Sequence, residues 1–336
     1  MTQQKQMAAI YVIVAICAML SLPAALSGQN GSVGPIVGIG NFSHIVTSLE
    51  KSLEFYRDVI GLPVATQPQP FSGNPAIMTL GNTPGAQSRI AVLKVPGAAL
   101  GVELIEYKDI DRKPANQRFQ DPGATNLQVR FRDLDSVVAR VKRSGARILT
   151  VAGTPSTLNG GAKIMFVQDP DGFILELGQP ANVPAARDES PGNVIGLGFE
   201  ATVEDTPRTA AFYRDLLGLQ ISAVGAYNGD KLRADTGGVP RSESRTTRAT
   251  IPGTMATIIF IEFRGVDRKP LQTRVQDPGT AILQLMVRDL DSLLDKLKAG
   301  GAKVVAADGQ AVTVGNSRIA LVRDSNNLVL ELIQRP

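Results

Sequence analysis

The sequence predicts an α+β protein built from four copies of one small unit, a strand followed by a helix and three further strands. Two observations predict this fold. The body of the chain is an internal duplication, because the segments Asp111–Ala146 and Asp267–Ala302 are identical at just over half of their positions. Within each half, a strand and an amphipathic helix that stops at a glycine occur twice, and short strands follow them.

The elements of the first half follow from alternating strands, helical periodicity and glycine stops. They are a strand over 40–46, a helix over 48–59 that stops at Gly61, strands that end with 102–107, a strand over 126–131, a helix over 134–143 that stops at Gly145, and a final strand over 173–177. In the second half, Asp205 is predicted to cap a helix that has Pro207 in its first turn.

The repeat predicts two domains, residues 36–180 and residues 194–335. A linker over 181–193, rich in Pro, Ala and charged residues, joins them. Residues 1–27 are typical of a signal peptide, because a polar start is followed by an uncharged apolar run and then small residues. We therefore expect an exported protein, periplasmic or secreted. An N-terminal membrane anchor is the alternative, since the apolar run is long enough to span a bilayer.

Composition excludes several functions. The net charge of +4 is small and not clustered, and aromatic residues make up only 5% of the chain, so no nucleic acid partner is expected. No membrane contact is expected after removal of the leader. The single histidine, His44, cannot build a multi-histidine zinc or iron site. A small molecule is the expected partner, and the oligomeric state is left open.

Three motifs together carry a family resemblance: the helix SLEKSLEFYRDVIGL, the strand VELIEY and the ending QDPDGFILEL. They resemble the vicinal oxygen chelate superfamily, which includes glyoxalase I, the bleomycin and fosfomycin resistance proteins and the extradiol dioxygenases. The resemblance covers essentially the whole chain after the leader. It implies four βαβββ modules that pair into two cups, usually around a divalent metal.

The resemblance also implies four ligand positions, one on each of four strands. In the first repeat they fall on Asn41, Glu103, Asn126 and Glu176. Asparagine stands where the family usually has histidine, which favours Mg²⁺, Mn²⁺ or Ca²⁺ over Zn²⁺ or Fe²⁺ if one divalent metal is bound by Glu103 and Glu176. In the second repeat the positions are Gly198, Ile259, Ile282 and Glu331, so no metal is expected there.

Strand alternation adds Gln128 and Arg130 to the face that carries Asn126. We therefore expect each repeat to form its own cup, polar in the first repeat and apolar in the second. The predicted ligand-binding residues are Asn41, Glu103, Asn126, Gln128, Arg130 and Glu176. An ion pair of the carboxylates with Arg130 is the alternative explanation for them.

The expected function is binding of a small oxygen-rich molecule in the first cup. Lyase or isomerase chemistry is left open, and no catalytic residue is assigned. The alternatives are a non-catalytic ligand-binding protein of the bleomycin-resistance kind and a structural protein with degenerate cups. Ring cleavage by the usual iron route is not expected, since it needs two histidines.

Overall fold

The computed structural model describes residues 34–95, 98, 100–158, 160–185, 192–229, 235, 239, 242–254 and 256–336. The predicted leader, residues 1–27, and the middle of the predicted linker over 181–193 lie outside these residues. Among the described residues, no helix combines the length and the apolar character that a membrane crossing needs.

The described elements follow the predicted order of a strand, a helix and further strands. The strands are β1 (Ile36–Val46), β2 (Val64–Thr66), β3 (Gln87–Lys94), β4 (Gly101–Lys108), β5 (Thr125–Phe131), β6 (Ser156–Thr157), β7 (Lys163–Gln168), β8 (Ile174–Gln179), β9 (Val194–Thr202), β10 (Gln220–Ile221), β11 (Asn228–Gly229), β12 (Glu243–Thr250), β13 (Thr257–Arg264), β14 (Ala281–Val287), β15 (Lys303–Val304), β16 (Val312–Val314), β17 (Ser317–Arg323) and β18 (Val329–Gln334). The helices are α1 (Leu49–Leu53, continued by a π-helix over Glu54–Ile60), α2 (Pro75–Gly81), α3 (Leu134–Ser144), α4 (Thr206–Ala211, continued by a π-helix over Phe212–Leu216) and α5 (Leu290–Ala299).

Local signals explain where the module helices begin and end. The Ser48 side chain caps α1 and the Asp133 side chain caps α3, each by accepting a hydrogen bond from a backbone N–H of the first turn. The first helix ends at Gly61 and α3 ends at Gly145, both at positive φ, where glycine carries no Cβ penalty. The predicted cap at Asp205 begins α4.

The strands form two nine-stranded mixed sheets. Sheet A has the order β15-β17-β18-β14-β1-β4-β3-β2 with β16 paired to β17, and sheet B has the order β10-β12-β13-β9-β5-β8-β7-β6 with β11 paired to β12. We call β1–β4 module 1, β5–β8 module 2, β9–β13 module 3 and β14–β18 module 4. The predicted α+β class with four modules in two curled sheets is confirmed.

Each sheet joins modules from different halves of the chain. In sheet A, β1 of module 1 pairs antiparallel with β14 of module 4; in sheet B, β5 of module 2 pairs antiparallel with β9 of module 3. The expectation that each repeat forms its own cup is therefore wrong. Alternation fixes which face of a strand is inward, but it does not choose between two partner strands of similar sequence. We call the concave face of sheet A cup A and that of sheet B cup B.

The repeated segments between the modules form hydrogen bonds with each other. The Lys113 backbone N–H donates to Asp277 Oδ1, and the Lys269 N–H donates to Asp121 Oδ1, both at 2.8 Å. Arg118 forms an ion pair with Asp121 at 2.6 Å. The two halves are thus linked at the points where the chain passes from one sheet to the other.

Hydrophobic clusters fill both sides of the sheets. The largest one lies on the helix-facing sides and includes Phe42, Phe131 and Phe199. A separate cluster lies on the concave side of sheet A, where Met78 on α2 packs in the same cluster as Leu321 on β17. The helix α2 therefore belongs to module 1 but covers a wall that module 4 contributes.

Candidate functional site

The floor of cup A brings together two carboxylates from opposite halves of the chain. Glu103 lies on β4 and Glu331 on β18, while Ser43 on β1 and Gln284 on β14 lie between them. The Ser43 hydroxyl donates to Glu103 Oε2 at 2.7 Å, and Gln284 Nε2 donates to the same oxygen at 2.9 Å. The four side chains form one polar group on the cup face.

Strand register explains this arrangement. The parallel pair β1–β4 places Ser43 beside Glu103, and the parallel pair β14–β18 places Gln284 beside Glu331. The register of β1 against β14 shifts between Ile39 and Phe42. Such an irregularity changes the direction in which the nearby side chains point from the sheet.

Glycine and a backbone amide fix the orientation of Gln284. A Cβ added at Gly40 would lie 2.7 Å from Gln284 Oε1, so this side chain needs glycine at that position. The Asn41 N–H donates to Gln284 Oε1 at 2.8 Å. Because the amide oxygen is occupied, the amide NH₂ is the group that faces Glu103. The Asn41 side chain lies over Gly101 of β4.

The two carboxylates perturb each other. Burial and the charge of Glu103 raise the pKa of Glu331 to about 8, and Gln284 opposes the increase. Burial also raises the pKa of Glu103, against the hydrogen bonds from Ser43 and Gln284. No arginine or lysine among the described residues forms an ion pair with either group. At neutral pH Glu331 therefore holds a proton, and it is also the carboxyl group with the fewer hydrogen-bond donors.

Cup B has a different electrostatic balance. Glu176 on β8 accepts from Arg130 at 2.6 Å and from Gln128 at 3.1 Å. Ile259 stands where cup A has Glu103. The carboxylate of Glu176 is thus neutralised by an ion pair within the cup.

A second polar pair lies deeper in cup B. Asn126 Nδ2 donates to Glu200 Oε1 at 2.9 Å, and both residues are buried. None of the described residues forms a hydrogen bond with Asn126 Oδ1. Glu200 occupies the place that Ser43 has in cup A.

The six residues predicted from the sequence divide between the cups. Asn41 and Glu103 lie on strands of sheet A, and the remaining four lie on strands of sheet B: Asn126, Gln128, Arg130 and Glu176. The expectation that Glu103 and Glu176 share one floor is wrong, because modules 1 and 2 belong to different sheets. Their roles in ligand or metal binding stay a prediction.

Sequence reasoning missed the partners of Glu103. Ser43 follows Asn41 by two positions and so shares its strand face, a signal that alternation alone could have supplied. The sequence predicts Glu331 in a second cup, because the ligand positions are taken within one repeat, and it assigns no role to Gln284. In the structure, the side chains on the floor of cup A come from both repeats.

A second acidic group lies at the junction of modules 1 and 2. His44, Asp169 and Asp171 offer ligand atoms within 4.8 Å of one another. However, Asp169 Oδ2 already contacts His44 Nε2 at 2.7 Å and Tyr56 Oη at 3.0 Å. Its Oδ1 accepts from the backbone N–H groups of Asp171 and Phe173, both at 2.8 Å. The Asp169 carboxylate is therefore fully used in protein contacts.

The equivalent junction of modules 3 and 4 is built without a histidine. Asp324 Oδ2 accepts from Tyr213 at 3.2 Å, and Asp324 Oδ1 accepts from two backbone N–H groups. Ala201 stands in the place of His44, and Asn326 in the place of Asp171. Both junctions keep the same tyrosine–aspartate hydrogen bond. A structural role in joining two modules therefore accounts for the group at Asp169.

Two curled mixed sheets with a paired carboxylate on one concave floor define a class of proteins that receive a small molecule between two modules. The chain belongs to the Glyoxalase/Bleomycin resistance protein/Dioxygenase superfamily, whose family model matches residues 38–177 and 198–332. Members of this superfamily bind small-molecule substrates and commonly a divalent metal.

Comparison with characterised proteins gives enzymes of lyase and isomerase type. The chain is 29% identical over 155 residues to a 2-epi-5-epi-valiolone epimerase of an Actinomyces species, a match that covers 44% of this chain and 81% of that protein. It is 27% identical over 131 residues to a lactoylglutathione lyase of Neisseria meningitidis serogroup A, covering 39% of this chain and 82% of that protein.

Solved structures share the fold over most of the chain. Glyoxalase I from Zea mays has a TM-score of 0.57 at 17% identity, and the match covers 88% of this chain and 92% of that one. A putative dioxygenase from Bacillus subtilis has a TM-score of 0.57 at 14% identity, covering 90% of this chain and 87% of that one. At these identities the likeness concerns the fold alone.

Proposed function

We propose that cup A is an active site that binds a small oxygen-rich molecule and moves a proton on it, in a reaction of lyase or isomerase type. The observation that carries the proposal is the pair Glu103 and Glu331 on one floor, without a cation partner among the described residues. Buried carboxyl groups of which one holds a proton near neutral pH are suited to general acid–base work.

The two carboxylates would have different roles. Glu103 receives hydrogen bonds from Ser43 and Gln284, which favour its charged form, so it is the base that removes a proton from carbon. Glu331 holds its proton at pH 7 and can return one to the substrate. The pair thereby removes a proton at one position and supplies one at another.

The donor set of cup A also fits the divalent metal that the superfamily commonly binds. Glu103 and Glu331 would hold a hard ion such as Mg²⁺, Mn²⁺ or Ca²⁺, which commonly binds through one or two carboxylates together with substrate oxygens. Gln284 would orient Glu103 instead of binding the ion, since the Asn41 N–H occupies its oxygen. When bound, the ion would supply Lewis-acid polarisation of a substrate oxygen.

The relatives support this reaction class. An epimerase inverts a stereocentre, and beside a carbonyl group this is done by removing a proton and returning it to the opposite side. The names of both relatives describe enzymes that convert small molecules rich in oxygen. Export of the protein, proposed from residues 1–27, would place this reaction outside the cytoplasm. N-terminal sequencing of protein recovered outside the cytoplasm should begin near Gly28.

Hydrogen exchange into a substrate tests the proposal. The protein is incubated in D₂O with 2-epi-5-epi-valiolone or lactoylglutathione, and deuterium entering carbon is followed by NMR. We expect exchange with the natural sequence and a loss of at least about 100-fold in Glu103→Gln, as removal of a general base requires.

The matched control is Glu176→Gln, which changes the equivalent carboxylate of Glu331 in cup B. It should keep the exchange rate within about twofold, since Glu176 is paired with Arg130 and lies outside the proposed site. If Glu176→Gln abolished exchange and Glu103→Gln did not, the reaction would belong to cup B and the proposal for cup A would be wrong.

A further inference from the structure

Tyr107 presents its hydroxyl to cup A. It lies on β4 on the same face as Glu103, and its side chain is 4% exposed within the hydrophobic cluster of the cup. A Cβ added at Gly81, the last residue of α2, would lie 3.7 Å from Tyr107 Oη. The hydroxyl is therefore held between the carboxylate floor and the helix that covers it.

Buried tyrosine hydroxyls usually find a hydrogen-bond partner. The Tyr107 hydroxyl forms no hydrogen bond with the described residues and is not fully enclosed by them, so its proton is available to a molecule in the cup. Tyr56 and Tyr213 show the usual case, since each donates to a buried aspartate. Burial and the charges of Glu331 and Glu103 raise the pKa of Tyr107. The phenol thus stays protonated and remains a donor without an acceptor.

The second cup supplies a comparison within the same molecule. Phe263 on β13 stands in cup B where Tyr107 stands in cup A, and it packs edge-to-face against Phe119 at 5.6 Å between ring centroids. Phenylalanine thus serves the packing role at this position without a hydroxyl. The hydroxyl occurs in the cup that carries the unpaired carboxylates, so packing does not account for it.

We infer that the Tyr107 hydroxyl donates a hydrogen bond to the carbonyl oxygen of the substrate in cup A. The inference rests on the proposed function, and it narrows the substrate to a ketone or aldehyde with a C–H bond beside the carbonyl group. Removing that proton leaves an enolate, whose negative charge lies mainly on the oxygen. A neutral donor directed at this oxygen stabilises the charge as it forms.

The proton balance of the step is complete. The C–H bond breaks, its proton goes to the Glu103 carboxylate, and the electron pair moves through the new carbon–carbon double bond to the oxygen. Tyr107 keeps its proton throughout and only donates a hydrogen bond. Return of a proton to the same carbon restores the carbonyl group, so no oxidant or reductant is needed.

Two measurements on the full chain test the inference, with hydroxyacetone as the probe because it is a small hydroxyketone. The first is the rate of deuterium exchange beside its carbonyl group. Tyr107→Phe should lower that rate about 10- to 100-fold, the usual size for one donor to a charged oxygen. The matched variant Phe263→Tyr, which adds a hydroxyl in cup B, should leave the rate within about twofold.

The second measurement does not depend on turnover. With 3-fluorotyrosine at position 107 in the Glu103→Gln background, the ¹⁹F resonance should shift on saturation with hydroxyacetone, since a hydrogen bond forms without proton removal. Absence of exchange together with this shift would contradict the reaction but support the contact. A resonance that stays fixed, or an exchange rate in Tyr107→Phe equal to that of the natural sequence, would overturn the inference.

Discussion

Glu331 occupies in cup A the position that Glu176 occupies in cup B, yet among the described residues an arginine pairs with Glu176 and none with Glu331. Arg130 contacts Glu176 at 2.6 Å, whereas Met286 stands at the matching position of cup A. The surroundings of these two equivalent carboxylates thus differ by an arginine in cup B and a methionine in cup A. The first prediction below uses this difference, with a residue of cup B as its control.

Metal binding should depend on carboxylates from both halves of the chain. We expect Glu103→Gln and Glu331→Gln each to weaken Mn²⁺ binding at least about tenfold, since each removes one of two carboxyl ligands, and the Glu331 carboxyl group loses its proton when it binds the ion. Isothermal titration calorimetry measures the affinity. Glu176→Gln is the control and should bind as the natural sequence does; loss of binding in the control alone would assign the metal to cup B.

Stability in the absence of metal should fall as the pH rises. The folded state holds the Glu331 proton up to about pH 8, while an ordinary glutamate with a pKa of 4.5 has lost it by then. Between these values the folded state binds more protons than the unfolded state, so the free energy of unfolding decreases with pH, by up to about 1 kcal/mol per unit from this group.

Urea unfolding at pH 5 to 8 in the presence of EDTA checks this dependence. Glu331→Gln should have a flatter profile than the natural sequence and should be the more stable of the two at pH 8. An equal slope in both proteins would show that Glu331 does not carry the proton in the folded state.

Gly40 should be required for the geometry of cup A. In Gly40→Ala the new methyl group would lie 2.7 Å from Gln284 Oε1 and 2.8 Å from Met286 Cε, so Gln284 must leave its place beside Glu103. We expect a loss of about 1–3 kcal/mol in the free energy of unfolding, as for other overpacked sites. Gly38→Ala is the matched control on the same strand, because its methyl group would meet Met286 at an ordinary 3.7 Å. Equal stability of the two variants would contradict the crowding.

Neither half of the chain should fold as a monomer. Residues 34–185 contain modules 1 and 2, which lie in different sheets, so both central strands β1 and β5 would lack their partners. We expect this fragment to unfold, aggregate or form a dimer, while co-expression with residues 192–336 should restore a folded complex. Light scattering and circular dichroism distinguish these states; a folded monomer of residues 34–185 would contradict the pairing across halves.

The modules could be predicted from the sequence because their signals are local. Caps such as Ser48 and Asp133, glycine stops and strand alternation act within a few residues, and the fold class followed from them. The partner of β1 could not be predicted in this way. The two candidates, β5 of module 2 and β14 of module 4, lie in copies of the same repeated unit and have similar sequences. Their choice depends on contacts between distant segments, such as Lys113 with Asp277, that leave no local pattern.

The candidate site was identified only in part for the same reason. Glu103 follows from the family motif, and its inward direction follows from alternation. Glu331 was set aside because three of the four ligand positions in its own repeat, among them Ile259 and Ile282, cannot bind a metal. In the structure Glu331 lies in the same cup as Glu103 of the other repeat. The residues near Glu331 in sequence therefore do not show which side chains surround it.

The path of the chain through the two sheets also sets the order in which they can close during synthesis. Sheet B has all its strands once β13 has left the ribosome, whereas sheet A waits for β14–β18 at the carboxyl end. Until then β1 exposes an unpaired edge, which favours association with other nascent chains. A product truncated before β18 lacks Glu331, so an incomplete translation product carries one carboxylate of the pair and has no working cup.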